Sequence, residues 1–170
     1  MAFSIDIVKI EQTEDMLRRI FKHCWGVESK MNKAKLFATN DSILEVFEYY
    51  AVCTAPRSVA MQLRTHEKKH GMYFWMATAR PDRDDAVKGD YSREQEVDFV
   101  MKLTAKAIKE ISHYRLCAKA EYPTRKFMLA FKEELRKVEP ELAENMVPLC
   151  VYRGGICTEF NSCKNRKIVK

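Results

Sequence analysis

The segment "QLRTHEKKH", residues 62–70, carries an amide, a guanidinium and an imidazole at alternate positions, Gln62, Arg64 and His66. On a helix, Gln62 and His66 fall one turn apart on the same face, so both can meet one edge of a ligand. Such donors suit a nucleotide, whose base offers carbonyls and whose phosphate offers charge. The competing reading is a helix whose last turn gathers cations because its C-terminal end is electronegative. A second candidate is Arg115 in "HYRLC", followed by Arg125 beyond Pro123. An arginine among apolar neighbours needs a partner, because an unpaired buried charge is costly; a glutamate, or a ligand carbonyl or phosphate, would serve. The third is the set Cys150, Cys157 and Cys163, spaced C-x6-C-x5-C. Zinc sites favour tighter pairs, so even with Cys117 as a fourth ligand the spacing leads us to expect no metal. Phosphate-loop, dinucleotide-fold, HExxH and Gly-x-Ser-x-Gly patterns are absent.

These side chains need elements to hold them. "FSIDIVKI" alternates as a strand, and "TEDMLRRIFKHCW" spaces Met16, Leu17, Ile20, Phe21 and Cys24 as a helix, with Thr13 as N-cap and Gly26 as stop. "NDSILEVFEYYAVCT" fits neither period cleanly at first and ends β-prone. Pro56 then opens the helix "PRSVAMQLRTHEKKH". "GMYFWMATAR" reads as a strand, residues 81–95 as a polar connection, and "EVDFVMKL" as a further strand. A helix begins at Thr104, with Ala107, Ile108, Ile111, Tyr114 and Leu116 on one broad side, and a second resumes after Pro123. Residues 147–170 read as an irregular tail bearing cysteines. No repeat or linker divides the 170 residues, so we expect one α+β domain, with 46% hydrophobic residues available for its core.

The formal charge of +6 suits an anionic ligand without pointing to specific nucleic-acid binding. No apolar run approaches the roughly 18 residues of a membrane span, and the N-terminus carries acidic residues where a secretory signal would be apolar. A cytoplasmic protein with reduced thiols is expected.

Three blocks, in order, resemble the flavin-dependent thymidylate synthases, the ThyX family. "NDSILEVFEYYAVCTAPRSVAMQLRTHE" is similar to that family's H-x-S/T-x-x-E block running into Q-x-x-RHR, which sets Asn40 at its histidine and keeps Ser42, Glu45, Gln62 and His66. "TAKAIKEISHYRLCAKAEYPTRKF" is similar to the block N-A-R-x-L-x-x-F-x-x-L-R-L-C-x-x-A-Q-W-E-I-R, with Lys106 for the arginine of N-A-R, Arg115 on the pyrimidine-holding arginine and Arg125 on the terminal one. "PLCVYRGGICTEFNSC" resembles a cysteine-bearing tail found in some members.

The resemblance implies a ThyX-like fold, a mixed or antiparallel sheet flanked by helices. It implies one-carbon transfer from methylenetetrahydrofolate to C5 of dUMP, with FAD as cofactor, NADPH as reductant and a homotetrameric assembly. It assigns substrate contacts to Gln62, Arg64, Arg80, Arg115 and Arg125, cofactor contacts to Asn40, Ser42, Glu45, His66 and Lys106, and the catalytic role to Arg115. Two departures stand out. The RHR triplet reads Thr65-His66-Glu67, which weakens flavin binding, and residues 81–95 replace a long helical region. A hydroxymethylating variant, or a homologue that binds nucleotide without turnover, is the alternative. Thr78 and Arg80 stand where the family has a serine-and-arginine loop.

Overall fold

The computed structural model describes residues 3–11, 14–26, 32–67, 71–76, 92–160 and 162–163. Four strands, β1 (Ser4–Lys9), β2 (Glu48–Pro56), β3 (Tyr73–Met76) and β4 (Glu96–Thr104), form an antiparallel sheet in the order β1-β2-β4-β3. The helices are α1 (Glu14–Trp25), α2 (Lys33–Ala38), α3 (Arg57–Arg64), α4 (Ala105–Arg115), α5 (Tyr122–Val138), α6 (Pro140–Glu144) and α7 (Leu149–Tyr152), with a 3₁₀ turn at Ser42–Val46. The fold is α+β, as expected.

Alternation decides which face of the sheet is covered. Tyr49, Ala51, Cys53 and Ala55 on β2, with Phe99, Met101 and Leu103 on β4, are buried beneath α3, α4 and α5. Val8, Val52, Tyr73 and Trp75 stand on the opposite face, at least half exposed. In the core, Phe127 of α5 meets Phe3, Phe99 and Phe131 at ring-centroid distances of 5.4, 5.9 and 6.4 Å.

Two junctions without loops set the geometry of the site. Pro56 ends β2 and caps α3; Thr104 ends β4 and caps α4, its Oγ1 accepting from the Ala107 N–H at 3.1 Å. Because β2 and β4 are antiparallel, with Pro56 opposite Glu96 and Glu48 opposite Thr104, the two helices start at opposite ends of the sheet and run inward. Their C-terminal ends meet.

Several local expectations needed correction. The helix from Pro56 was expected to run through "RTHEKKH", yet α3 ends at Arg64: Thr65 is its C-cap, its Oγ1 donates to the Gln62 carbonyl at 2.7 Å, and the His66 N–H bonds Leu63 in a tighter i−3 turn. Tyr114 was placed on the buried side of its helix and stands 43% exposed. The tail contains the short helix α7 where only irregular chain was expected. The long helix after Pro123 breaks at Glu139, as Pro140 cannot continue it and starts α6 instead. Thr13, Thr78 and residues 81–91 lie outside the described residues.

Candidate functional site

At the meeting point of α3 and α4, the half-buried guanidinium of Arg115 spans three neutral partners. Its Nε donates to His66 Nε2 at 2.8 Å, and its Nη2 donates to the Gln62 carbonyl at 3.1 Å and to Thr65 Oγ1 at 3.0 Å. For Nε2 to accept, the imidazole must be neutral with its proton on Nδ1. His66 is buried, at 6% exposure, and its ring lies 6.2 Å from that of Tyr114. Burial pulls the Arg115 pKa down, with Glu121 partly opposing. The side chain remains charged, and no carboxylate of the described residues forms an ion pair with it. The sequence asked whether a glutamate or a ligand answers Arg115. Among the described residues, neutral groups do.

This arrangement combines the two readings of residues 62–66. Arg115 caps the electronegative end of α3, an ordinary structural task. The same contacts leave a fixed positive charge, without an ion-pair partner among the described residues, beside the half-buried Gln62, while Nη1 carries no hydrogen bond to a described residue. Such a centre is built to receive a carbonyl or an anionic oxygen.

The other expected residues divide by location. Arg64 is exposed and lies 3.9 Å from Glu67. Arg125 sits in the first turn of α5 with its Nε buried and without a hydrogen-bond partner, next to Thr124, whose buried Oγ1 also has none. Ser42, Glu45 and Lys106 gather at the far end of α4: Lys106 bonds Glu45 at 2.9 Å, and Ser42 donates to the capping Asp41 at 3.4 Å. Asn40 is exposed nearby in sequence. From Lys106 to Arg115 is nine helical steps, roughly 13 Å. One chain therefore does not bring these two groups together. Arg80 lies outside the described residues. A cavity of about 140 Å³ lined by Lys9, Glu11, Leu17, Lys33 and Phe47 touches none of the candidates.

Sequence reasoning missed Thr65 as a partner of Arg115, because a hydroxyl in a cationic run looks like a loss. It also missed Lys109, which is fully buried in α4 and donates to the carbonyls of Phe37 at 2.6 Å and of Thr39. A signal was present: α4 is buried around most of its circumference, so a lysine in its middle had to be enclosed.

Comparison with solved structures follows from this geometry. The chain is similar to thymidylate synthase X from Helicobacter pylori with FAD and dUMP, with a TM-score of 0.62 at 9% identity over 85% of this chain and 99% of that one. The fold is the ThyX fold. A second structure of that Helicobacter pylori enzyme, complexed with FAD and dUMP, gives a TM-score of 0.62 at 11% identity over 84% and 99% of the two chains. A UMP/dUMP methylase, PolB from Streptomyces cacaoi, bound with 5-Br dUMP, gives 0.58 at 11% identity over 84% and 94%. No family model matches the sequence, and no curated protein does.

Within the ThyX fold, the positions of the RHR triplet do not fit a flavin diphosphate here. Thr65 is committed to Gln62 and Arg115, His66 accepts from Arg115, and Glu67 adds a carboxylate beside Arg64 at a helix end that is already electronegative. Among the described residues, nothing at this triplet offers the diphosphate a free cation. No helix of the described residues is long and apolar enough to cross a membrane.

Proposed function

We propose that this chain acts on a pyrimidine nucleotide as a thymidylate synthase-like protein, transferring a one-carbon unit to C5 of dUMP. The observation that supports it is Arg115, a half-buried guanidinium held by neutral partners so that its charge awaits a ligand. In this reading Arg115 binds a uracil carbonyl and stabilises the negative charge that develops on the ring as C5 becomes nucleophilic. His66 and Thr65 fix the guanidinium plane before the nucleotide arrives, and Gln62 orients the base through its amide. Arg64, Arg80 and Arg125 are the candidates for the phosphate. In the ThyX family the hydride comes from a reduced flavin, with NADPH and methylenetetrahydrofolate as co-substrates. No step is drawn through the flavin here, because the triplet does not fit its diphosphate.

That misfit favours a second reading, a homologue that binds the nucleotide without turnover. Ser42, Glu45 and Lys106 stand a helix length from Arg115, so a cofactor wall made of them would have to come from another copy, in keeping with a homotetramer. Absorbance and melting separate the possibilities. An active enzyme is yellow as purified and melts higher with dUMP. A binding protein is colourless but still gains about 2.7 kcal/mol at a dUMP concentration of roughly 100 times Kd. A colourless protein indifferent to dUMP refutes both readings.

A further inference from the structure

α4 is enclosed along its whole length except at one residue. Of its 11 residues Tyr114 alone is exposed, at 43%, and every other is buried or half-buried. A single exposed tyrosine is ordinary on a protein surface, because its hydroxyl is at ease in water. Its position is what matters here. The Tyr114 ring stacks on that of His66, with centroids 6.2 Å and planes 30° apart, and His66 Nε2 accepts from Arg115 Nε at 2.8 Å.

Consecutive side chains on a helix diverge by about 100°, so Tyr114 and Arg115 border one surface only because a third group joins them. The end of α3 supplies it. His66 sits in the tight turn just past that helix, its N–H bonded to the Leu63 carbonyl at 3.0 Å, and its buried ring reaches both neighbours. The surface so formed has two chemistries side by side: a guanidinium whose Nη1 carries no hydrogen bond to a described residue, and an aromatic ring exposed to solvent. A planar ring that carries carbonyls answers both, with an edge oxygen on the guanidinium and a face on the tyrosine. A sugar or a bare phosphate can use only the first. In the block that this segment resembles, leucine precedes the arginine, so the aromatic ring belongs to this chain's own version of the site.

We propose that Tyr114 is the stacking surface for the pyrimidine base beside Arg115, and so a specificity-determining residue of the site; this rests on the nucleotide reading given above. Its ring takes no part in bond making or proton transfer. It removes one face of the base from water and sets an electron-rich ring against an electron-poor one. Adjacent residues of α4 then recognise the same base in two ways, Arg115 by its edge and Tyr114 by its face. Leucine in that position would cover apolar area without offering a flat partner.

Titration of dUMP into the full chain and its Tyr114 variants tests this. Tyr114→Phe keeps the ring and should bind dUMP within about twofold of the unaltered chain, whereas Tyr114→Ala should bind it at least about fivefold more weakly. Should the alanine variant not fold, Tyr114→Leu replaces it with the same expectation. A direct signature comes from fluorine NMR of protein labelled with fluorotyrosine. Of the resonances of the seven tyrosines, the one missing in Tyr114→Phe reports this ring, and dUMP should displace it by ring current. Unchanged dUMP affinity in Tyr114→Ala would overturn the stacking role and leave the nucleotide reading in place. Weakened affinity without displacement of the Tyr114 resonance would also overturn it, because the ring would then act only by bracing His66. A loss in Tyr114→Phe as large as in Tyr114→Ala would assign the effect to the hydroxyl and overturn it too. An unaltered chain that binds no dUMP overturns this proposal and the nucleotide reading together.

Discussion

Nε and Nη2 of Arg115 serve neutral partners inside the chain, so replacing the residue probes capping and recognition at once. Arg115→Lys keeps the charge and loses the planar fork. We expect dUMP binding to weaken by about 1.5–3 kcal/mol. Thr65→Val removes two internal bonds, to the Gln62 carbonyl and from Arg115 Nη2, at a cost of about 1–3 kcal/mol in stability, and should weaken dUMP binding less than Arg115→Lys because the guanidinium itself remains. A nucleotide titration beside an unfolding curve for each variant decides; unchanged affinity with a large stability loss in Arg115→Lys would leave Arg115 as a cap alone. Glu67 is a simpler case. Its pair with Arg64 is long and partly exposed, so Glu67→Arg should change stability by less than about 0.5 kcal/mol. By removing the carboxylate from the triplet that the resemblance aligns with the family's flavin-gripping RHR, it should also tighten FAD in a fluorescence titration. No change would show that the residue faces elsewhere.

Lys109 decides how α2 is joined to α4. Its ammonium lies in the core, satisfies two carbonyls at the end of α2 and stands 5.7 Å from the Tyr152 ring. Desolvation pulls its pKa below the usual lysine value. Lys109→Met preserves much of the volume while leaving both carbonyls unpaired, so we expect a loss of about 1–3 kcal/mol. Hydrogen exchange should locate the damage: amides of α2 exchange faster, whereas those of β2 and β4 keep their protection apart from the global change. Uniform loss across the sheet would mean that Lys109 supports the whole core.

For the whole molecule, alkaline pH tests how tightly the sheet excludes water. Cys53, at 1% exposure on the covered face of β2, has its thiol pushed up to about 12 by burial, with Asp6 adding to it. The folded pKa is therefore above the ordinary 9.0. The unfolded chain loses this proton first, so the stabilisation is complete below pH 9 and drains as pH rises toward 12. Denaturant titrations should show the unaltered chain losing about 1–2 kcal/mol more than Cys53→Ala between pH 9 and 10.5. Parallel profiles would exclude Cys53 as the group.

The strands and helices were legible because each is written in local periodicity: Tyr49, Ala51, Cys53 and Ala55 alternate, and Ala107, Ile108 and Ile111 share one side of a helix. The resemblance likewise pointed to the fold and brought Arg115, Gln62 and His66 into consideration together. The partners of Arg115 were not legible. Whether it met a glutamate or His66 depended on β2 pairing with β4, a contact between segments some forty residues apart that local periodicity does not encode. That pairing sends α3 and α4 inward from opposite ends of the sheet, so two C-terminal ends share one cation. Lys106 and Arg115, nine residues apart on one helix, are held apart by the length of that helix alone. The sequence by itself determined which residues carry charge and sulfur and which element holds each; only the tertiary structure decided which of them meet, because meeting depends on sheet order and helix direction.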